Sequence, residues 1–270
     1  MSPEFLRDTW DSIDMKLTIL GCSGSLGAPG NPGSSYLVEV HDSPAIVMDL
    51  GPGSVAALQS VRNPSDAHLV FSHLHQDHCS DFTSLAIWRR YHPELAAQGR
   101  NLLFGPSYAP ELFGRMGADG PGDFDDISDT FAAAAWVPYQ KELLGHATVT
   151  PYPVVHPAQE SHALRVEETS LGKVLTYSGD SAYTPLLVDA ARDADLFLCE
   201  AAWGPSSEGK AAGMHMSGAE AGQVAREANV KKLVLVHIQP WADQEKTLAA
   251  AAEEFDGEIV VGYPGQEFTL

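Results

Sequence analysis

One hexapeptide of this chain, HLHQDH, carries four side chains that can ligate a divalent metal: His73, His75, Asp77 and His78. The residues before it are apolar and favour a β-strand, which predicts that the hexapeptide follows the end of a buried strand. Side chains two positions apart on an extended segment point the same way, so His73 and His75 can meet on one ion. Asp77 and His78 are then placed to reach a second ion close by.

Imidazole and carboxylate groups are ligands for zinc, manganese and iron, and two such ions held close together make water nucleophilic. The alternative is a polar surface loop with ordinary histidines. Such a loop does not need histidine at three of six positions, so the hexapeptide favours a metal site of hydrolytic type.

The same arrangement recurs along the chain, because five apolar strand-like segments run into a histidine, an aspartate or a glutamate. These residues are His73, His156, Asp180, Glu200 and His237. Strand ends gather at one edge of a sheet that helices cover, so these side chains can converge on one site. Asp49 follows another such strand and has two interpretations: a turn aspartate, or an acceptor that orients a metal-bound imidazole.

The elements that must position these residues alternate between strand and helix patterns, which indicates an α/β fold. Strands are predicted at residues 15–21, 35–41, 45–50, 67–72, 147–157, 162–166, 173–177, 196–199, 232–236 and 259–263, and helices from residue 54, at 81–91 and at 243–255. Ser217 and Glu220 form a capping-box pattern, which puts His215 immediately before a further helix. The glycine-rich residues 21–27 lack the dinucleotide-binding spacing and are predicted to form a loop at the rim of the site.

Composition limits the partners of this chain. Sixteen Lys and Arg residues stand against 36 Asp and Glu residues, for a net charge of −20 at pH 7. A protein that holds a polyanion neutralises phosphates with Lys and Arg, so neither a nucleic-acid polymer nor a membrane is the expected partner. A small anionic ligand remains compatible, because metal ions can supply positive charge locally. No apolar run approaches the length of a membrane span.

The domain organisation is predicted to be simple. Residues 1–14 are polar and read either as a native extension or as a cloning-vector remnant, and residues 15–270 are long enough for a single α/β domain. The three cysteines, Cys22, Cys79 and Cys199, show no CxxC spacing. An odd number of cysteines without a signal peptide predicts reduced thiols and a cytoplasmic location.

Arg89 and Arg90 lie beside aromatic residues near the end of the helix predicted at 81–91. In an acidic protein they are candidates to contact a phosphate or to stack on a base. The alternative is the end of a packed helix, where the helix dipole favours cations.

Taken together, these residues resemble the motifs of the metallo-β-lactamase fold. The resemblance rests on HLHQDH, His156, the Ser178-Gly179-Asp180 turn and His237, and it covers residues 15–270. Glu200 followed by His215-Met216-Ser217 is more narrowly similar to the ribonuclease Z branch. The segments WRRYHP at 88–93 and FLCEA at 197–201 look like the actinobacterial cyclic-nucleotide phosphodiesterases.

The resemblance implies a four-layer αββα sandwich with two divalent metal ions, zinc or manganese before iron. Its first metal would be held by His73, His75 and His156, and its second by Asp77, His78 and His237, with Asp180 bridging. The ribonuclease Z branch uses this histidine as a proton donor, so His215 is the candidate donor here. Glu200 is the candidate to orient it, and Asp77 is predicted to be catalytic as well as a metal ligand. A homodimer is a further expectation from the family.

The third histidine of the first metal has two candidates, His156 and His162. His156 follows the end of a strand, as the motif requires, whereas His162 begins the next strand, so His156 is chosen. Ser161 and His162, together with Arg89 and Arg90, are then the candidates for substrate contact.

The substrate class follows from a difference between this chain and ribonuclease Z. That enzyme commonly carries a long basic arm between the third motif and the bridging aspartate, whereas here residues 157–179 hold only two short strands and a turn. Together with the acidity, this favours a small cyclic nucleotide, with 3′,5′-cyclic AMP first. The alternatives are a ribonuclease Z-like tRNA 3′-endonuclease, another ester or thioester hydrolase of the same fold, and a binding module without catalysis.

Overall fold

Two seven-stranded β-sheets pack face to face in the computed structural model of the chain, which describes residues 15–270. The strands, in chain order, are β1 (Met15–Gly21), β2 (Ser35–Val40), β3 (Ala45–Met48), β4 (Ala67–Val70), β5 (Asn101–Gly105), β6 (Phe131–Ala135), β7 (Glu142–Leu144), β8 (Ala147–Pro153), β9 (His162–Glu168), β10 (Val174–Tyr177), β11 (Leu196–Glu200), β12 (Lys232–Val236), β13 (Glu258–Val261) and β14 (Glu267–Thr269). The first sheet has the order β14-β1-β2-β3-β4-β5-β6, and the second β13-β12-β11-β10-β9-β8-β7. The predicted extension at residues 1–14 lies outside the described residues.

Each sheet is covered by helices on its outer face. The helices are α1 (Ser54–Val61), α2 (Gln76–Cys79), α3 (Phe82–Tyr91), α4 (Ala109–Met116), α5 (Pro185–Ala191), α6 (Gly218–Glu227) and α7 (Gln244–Ala252), with one 3-10 turn at Ile127–Asp129. Helices α1, α3 and α4 pack their apolar residues on the first sheet, and α5, α6 and α7 pack theirs on the second. A third apolar layer, which includes Leu17, Tyr36, Leu164 and Leu198, fills the space between the sheets. The predicted αββα sandwich is therefore confirmed.

The site lies where the topology brings the strand ends together. Strands β3 to β6 run parallel in the first sheet, and β10 to β13 run parallel in the second. Their carboxyl ends therefore collect at one edge of each sheet, and this edge carries the loops that follow β4, β10, β11 and β12.

The strands and helices predicted from the sequence are present, with boundaries that differ by a few residues. Strands β5 to β7 and β14 and helices α4 and α5 have no counterpart among the predicted elements. Strand β6 reads Phe-Ala-Ala-Ala-Ala, and alanine has low β-propensity. Its parallel pairing with β5 forms it, so this strand depends on a tertiary contact.

The prediction that Arg89 and Arg90 contact substrate is wrong. Arg89 is 1% exposed, and its guanidinium group donates to protein oxygens through all three nitrogens. The acceptors are the carbonyl oxygens of Ser65, Gly99 and Thr130, the Asn101 side chain and the Thr130 hydroxyl. These partners lie at the starts of β4, β5 and β6, on the edge of the sheet opposite the HLHQDH loop.

Arg90 also bonds within the protein, to the segment that precedes β6. Its guanidinium group pairs with Asp125 at 2.6 Å and with Asp129 at 2.9 Å, and it donates to the Asp126 carbonyl oxygen. The alternative interpretation of this pair, the end of a packed helix, is the one that the contacts support.

Two further features bear on the predicted location. The three cysteines are free and buried. Within residues 15–270, the helices fall short of the length and hydropathy that a bilayer crossing requires.

Candidate metal centre

The first group of ligand atoms comes from three histidines on loops of both sheets. His73 and His75 follow β4, and His156 follows β8, with their ligand nitrogens all within 4.8 Å of one another. The Nε2 atom of His156 lies 3.0 Å from Nδ1 of His75. His162 is not in this group, so the structure brings together the three histidines that the resemblance implied.

The second group comprises Asp77, His78, Asp180 and His237, whose ligand atoms also lie within 4.8 Å of one another. The Nε2 atom of His237 lies 3.2 Å from Nε2 of His78 and 3.0 Å from Oδ2 of Asp77. Asp77 and His78 lie on the short helix α2, and the turn of this helix presents both side chains to the same space.

Asp180 lies between the two groups. Its Oδ1 atom is 3.2 Å from Nε2 of His78, and its Oδ2 atom is 3.7 Å from Nε2 of His73 and 3.5 Å from Nε2 of His237. One carboxylate therefore reaches both ligand groups, which is the position of a bridging ligand.

The donor set fits a pair of cations. The Nε2 atom of His73 is buried and has no hydrogen-bond partner within residues 15–270, a costly arrangement unless a metal completes it. Burial lowers the pKa of His73 well below its ordinary value and that of His156 to about 4, so both imidazoles are neutral, which is the ligating form. The buried His and Asp cluster is consistent with a dinuclear metal site, and the ligands do not identify the metal.

The charge inside the cluster leads to the same conclusion. Burial would lower the pKa of His78, but the Asp180 and Asp77 carboxylates outweigh it and raise this pKa well above its ordinary value. The carboxylates thus draw positive charge into a buried position, and bound cations would supply that charge directly.

Asp49 orients His78 from behind. Its carboxylate accepts hydrogen bonds from His78 Nδ1 at 2.8 Å, from the Ser72 backbone N–H and hydroxyl, and from the Tyr177 hydroxyl at 3.0 Å. Binding Nδ1 in this way leaves Nε2 free for the ligand cluster. Of the two interpretations of Asp49, the structure shows the contact required of the orienting acceptor. His156 is oriented similarly, with Nδ1 2.7 Å from the Met214 carbonyl oxygen.

The glycine-rich loop after β1 packs against His237, at the rim where it was predicted. His237 has a positive φ of 53°, and its backbone N–H donates to the Cys22 carbonyl oxygen. A Cβ on Gly24 would overlap the His237 carbonyl oxygen, so glycine is needed for this close approach. The Ser25 backbone N–H lies 3.3 Å from His237 Nε2.

His215 and Glu200 form a hydrogen-bonded pair beside the metal ligands. The Nδ1 atom of His215 lies 2.9 Å from Glu200 Oε1 and 3.8 Å from Asp180 Oδ2. Glu200 is fully buried and accepts backbone N–H groups of Ser181, Ala202 and Met216. Burial lowers the pKa of His215, but the Glu200 carboxylate outweighs this and raises the pKa above its ordinary value. The pair can therefore hold a proton at the edge of the cluster.

Ser161 and His162 lie next to the cluster but are buried. The Ser161 hydroxyl donates to the Asp180 carbonyl oxygen at 3.3 Å, and the His162 backbone N–H donates to the Ser72 carbonyl oxygen at 3.0 Å. Their contact with a substrate stays a prediction.

Sequence reasoning missed Trp203. Its ring lies edge-on to His215, with centroids 4.9 Å apart. The one signal in the sequence was its position, three residues after the strand end at Glu200.

Comparisons with known proteins show the family and the fold of this chain. The sequence profile described as "Beta-lactamase superfamily domain" matches residues 46–238. Uncharacterized protein ML1173 of Mycobacterium leprae is 41% identical over 258 residues, which cover 96% of this chain and 89% of that protein. The probable metallo-hydrolase YhfI of Bacillus subtilis is 27% identical, over 93% of this chain and 98% of that protein. Ribonuclease Z of Myxococcus xanthus is 38% identical over 97 residues, 35% of this chain and 32% of that protein.

Solved structures show the same fold. The crystal structure of B. subtilis YhfI matches with a TM-score of 0.84 at 24% identity, over 95% of this chain and all of that one. The human short-form tRNase Z matches with a TM-score of 0.74 at 16% identity, over 94% of this chain and 98% of that one. At these identities the two structures establish the fold alone.

Proposed function

Since the chain belongs to the metallo-β-lactamase-fold superfamily of hydrolases, we propose that it is a two-metal phosphodiesterase that hydrolyses a small cyclic nucleotide, with 3′,5′-cyclic AMP as the favoured substrate. The observation that carries the proposal is the His215–Glu200 pair, in which Nδ1 of His215 lies 3.8 Å from Oδ2 of Asp180. Hydrolysis of a phosphodiester expels an alkoxide that must be protonated, and a positioned imidazole can supply that proton.

In this proposal, one set of residues holds the metal ions and another transfers the proton. His73, His75, His156, Asp77, His78, Asp180 and His237 would hold two divalent cations, zinc or manganese before iron. Bound there, the cations would supply Lewis acidity and lower the pKa of water from about 15.7 towards about 7. Glu200 holds the Nδ1 side of His215, which leaves Nε2 as the nitrogen that can protonate the leaving 3′ oxygen. Asp77 would ligate the second cation together with His237, whose Nε2 atom lies 3.0 Å from Asp77 Oδ2.

The segment between His156 and Asp180 supports a small substrate. This segment forms β9 and β10 as neighbouring antiparallel strands of the second sheet. It is folded into the sheet and does not extend as an arm that could hold a tRNA. The net charge of −20 also disfavours a polyanion. Both observations support a small substrate and a protein that binds neither a nucleic-acid polymer nor a membrane.

The second candidate is a ribonuclease Z-like tRNA 3′-endonuclease. The similarity to ribonuclease Z of Myxococcus xanthus and to the human tRNase Z fold favours it, and the same metal ligands would serve it. Another ester or thioester hydrolase of this fold is a weaker candidate, because acyl transfer does not need the His215–Glu200 pair.

Homodimer formation and a cytoplasmic location complete the proposal. The resemblance to the family supports the dimer, and the free, buried cysteines support a reducing compartment. Sedimentation analysis of the purified protein tests the dimer.

The deciding experiment is a substrate panel on protein reconstituted with manganese or zinc. Cyclic AMP, cyclic GMP, a cyclic dinucleotide and a 2′,3′-cyclic nucleotide are compared with precursor tRNA, and the products are separated by chromatography. We expect turnover of 3′,5′-cyclic AMP to the 5′ monophosphate and no cleavage of precursor tRNA. Cleavage of the tRNA with no turnover of cyclic nucleotides would replace the proposal with the second candidate.

A further inference from the structure

The loop between Trp203 and Met214 contacts residues of the metal centre at its two ends, His215 through Trp203 and His156 through Met214. At its start, the Trp203 backbone N–H donates to the Met216 carbonyl oxygen at 3.0 Å. At its end, the Met214 carbonyl oxygen lies 2.7 Å from Nδ1 of the metal-ligand candidate His156. The first bond closes the loop on itself, and the second ties the end of the loop to a residue of the site.

This loop carries an ammonium group over an aromatic side chain that packs against His215. Lys210 is exposed, and its Nζ atom lies over the Trp203 ring, 5.5 Å from the ring centroid. The same indole contacts the His215 ring at 4.9 Å. Gly209, with φ of 72°, makes the turn immediately before Lys210, a conformation that glycine adopts without strain.

Among the cations of the described residues, Lys210 differs from most in having no carboxylate partner there. Within residues 15–270, every Lys and Arg forms an ion pair with Asp or Glu except three: Arg89, Arg100 and Lys210. Arg89 is buried and fully hydrogen-bonded. Arg100 immediately precedes β5, on the edge of the sheet away from the metal centre. Among the unpaired cations of residues 15–270, Lys210 is thus the one that lies over a side chain packed against His215.

We infer that Lys210 is a substrate-binding residue whose charge attracts the anionic phosphodiester to the His215 side of the metal centre. The inference rests on the proposed phosphodiesterase function, which makes the substrate an anion. A protein of net charge −20 repels such a substrate at long range. An unpaired ammonium group at the rim offsets this repulsion locally, and the Trp203 ring holds it in place through a cation–π contact.

The test separates the charge of Lys210 from its packing. Lys210→Met keeps an apolar stem over Trp203 and removes the charge, whereas Lys210→Arg keeps the charge. We expect Lys210→Met to raise KM for 3′,5′-cyclic AMP about three- to tenfold at low ionic strength, with kcat nearly unchanged. Lys210→Arg should restore KM. The difference should vanish near 1 M salt, where the screening length is about 3 Å.

Arg100→Gln is the matched control, since it removes an unpaired cation far from the site and should leave KM unchanged. Binding of AMP to the metal-loaded protein, measured by calorimetry, gives a second readout that needs no turnover. Lys210→Met should weaken AMP binding by a similar factor.

The outcomes distinguish this inference from the proposed function. If wild-type protein turns over no cyclic nucleotide but Lys210→Met still weakens AMP binding, the proposed function fails and the role of Lys210 stands. If Lys210→Met retains the wild-type KM and AMP affinity, or if Arg100→Gln changes both equally, the inference is overturned.

Discussion

At the scale of single residues, Asp180 has the most demanding position in the candidate centre. Its two oxygens face ligand nitrogens from both histidine groups, and the side chain is nearly inaccessible to solvent. A buried carboxylate among imidazoles is stable when a cation shares it. Asp180 should therefore decide whether both ions bind.

The first prediction concerns this bridge. Asp180→Ala should lose at least one of the two metal ions per chain, because each ligand group loses an oxygen that faces it. Elemental analysis of the purified variant, with the exposed Asp189→Ala as control, measures the metal content. A full complement of two ions in Asp180→Ala would contradict the bridging role.

The second prediction concerns the proton donor. His215→Ala should retain both ions, since His215 lies outside the proposed ligand set, but kcat should fall about 10²- to 10⁴-fold. Metal content and steady-state kinetics on the same preparation separate the two effects. A variant that turns over cyclic AMP at the wild-type rate would show that the proton comes from another group.

At the scale of elements, the site depends on loops that approach each other closely at the ends of strands. The clearest case is the glycine-rich loop after β1, which packs its backbone against that of His237 after β12. These two strands belong to different sheets, so this contact links the sheets at the metal centre.

The third prediction tests that approach. Gly24→Ala should destabilise the protein by about 1–3 kcal/mol, because the new methyl group overlaps the His237 carbonyl oxygen and the backbone must shift. Gly99→Ala is the control, since a Cβ there meets nothing within 4 Å. Thermal unfolding of both variants gives the comparison, and equal stability would show that the loop relaxes without cost.

The fourth prediction concerns Arg89 at the opposite edge of the sheet. Burial lowers the pKa of its guanidinium to about 10, so the group is charged at neutral pH. Arg89→Met should lower the free energy of unfolding by about 3–5 kcal/mol, because buried carbonyl oxygens lose their donors. Urea unfolding measures this loss, and kcat of the folded variant should be unchanged. A large loss of kcat at full metal content would contradict this structural role and indicate that Arg89 acts at the metal centre.

At the scale of the whole molecule, the ligands come from both halves of the sandwich. His73, His75, Asp77 and His78 follow the first sheet, whereas His156, Asp180 and His237 follow strands of the second. Bound ions would therefore join the two sheets at one edge, and folding and metal binding should be coupled.

The fifth prediction follows from this coupling. At a metal concentration about 1,000 times the dissociation constant, binding adds about 4 kcal/mol of stability, which corresponds to roughly 10 °C in Tm for a chain of this size. Calorimetry with a chelator and with added manganese or zinc measures the difference. Asp180→Ala should show little increase in Tm when metal is added. An identical Tm of the wild-type protein with chelator and with metal would contradict the coupling.

The sequence alone determined the features that depend on neighbours along the chain. The HLHQDH loop, the strands that end in His156, Asp180, Glu200 and His237, and the capping box at Ser217 all follow from local periodicity and local hydrogen bonding. The α/β class followed from the alternation of these elements, and the αββα sandwich followed from the resemblance to the metallo-β-lactamase motifs.

Tertiary structure decided which side chains meet. It placed His156, the histidine chosen from the sequence, in the cluster and left His162 outside it, and it turned Asp49 towards His78. It buried Arg89 among carbonyl oxygens and left Lys210 unpaired beside Trp203. These outcomes depend on how the two sheets and their helices pack, and residue spacing along one strand carries no information on contacts between layers.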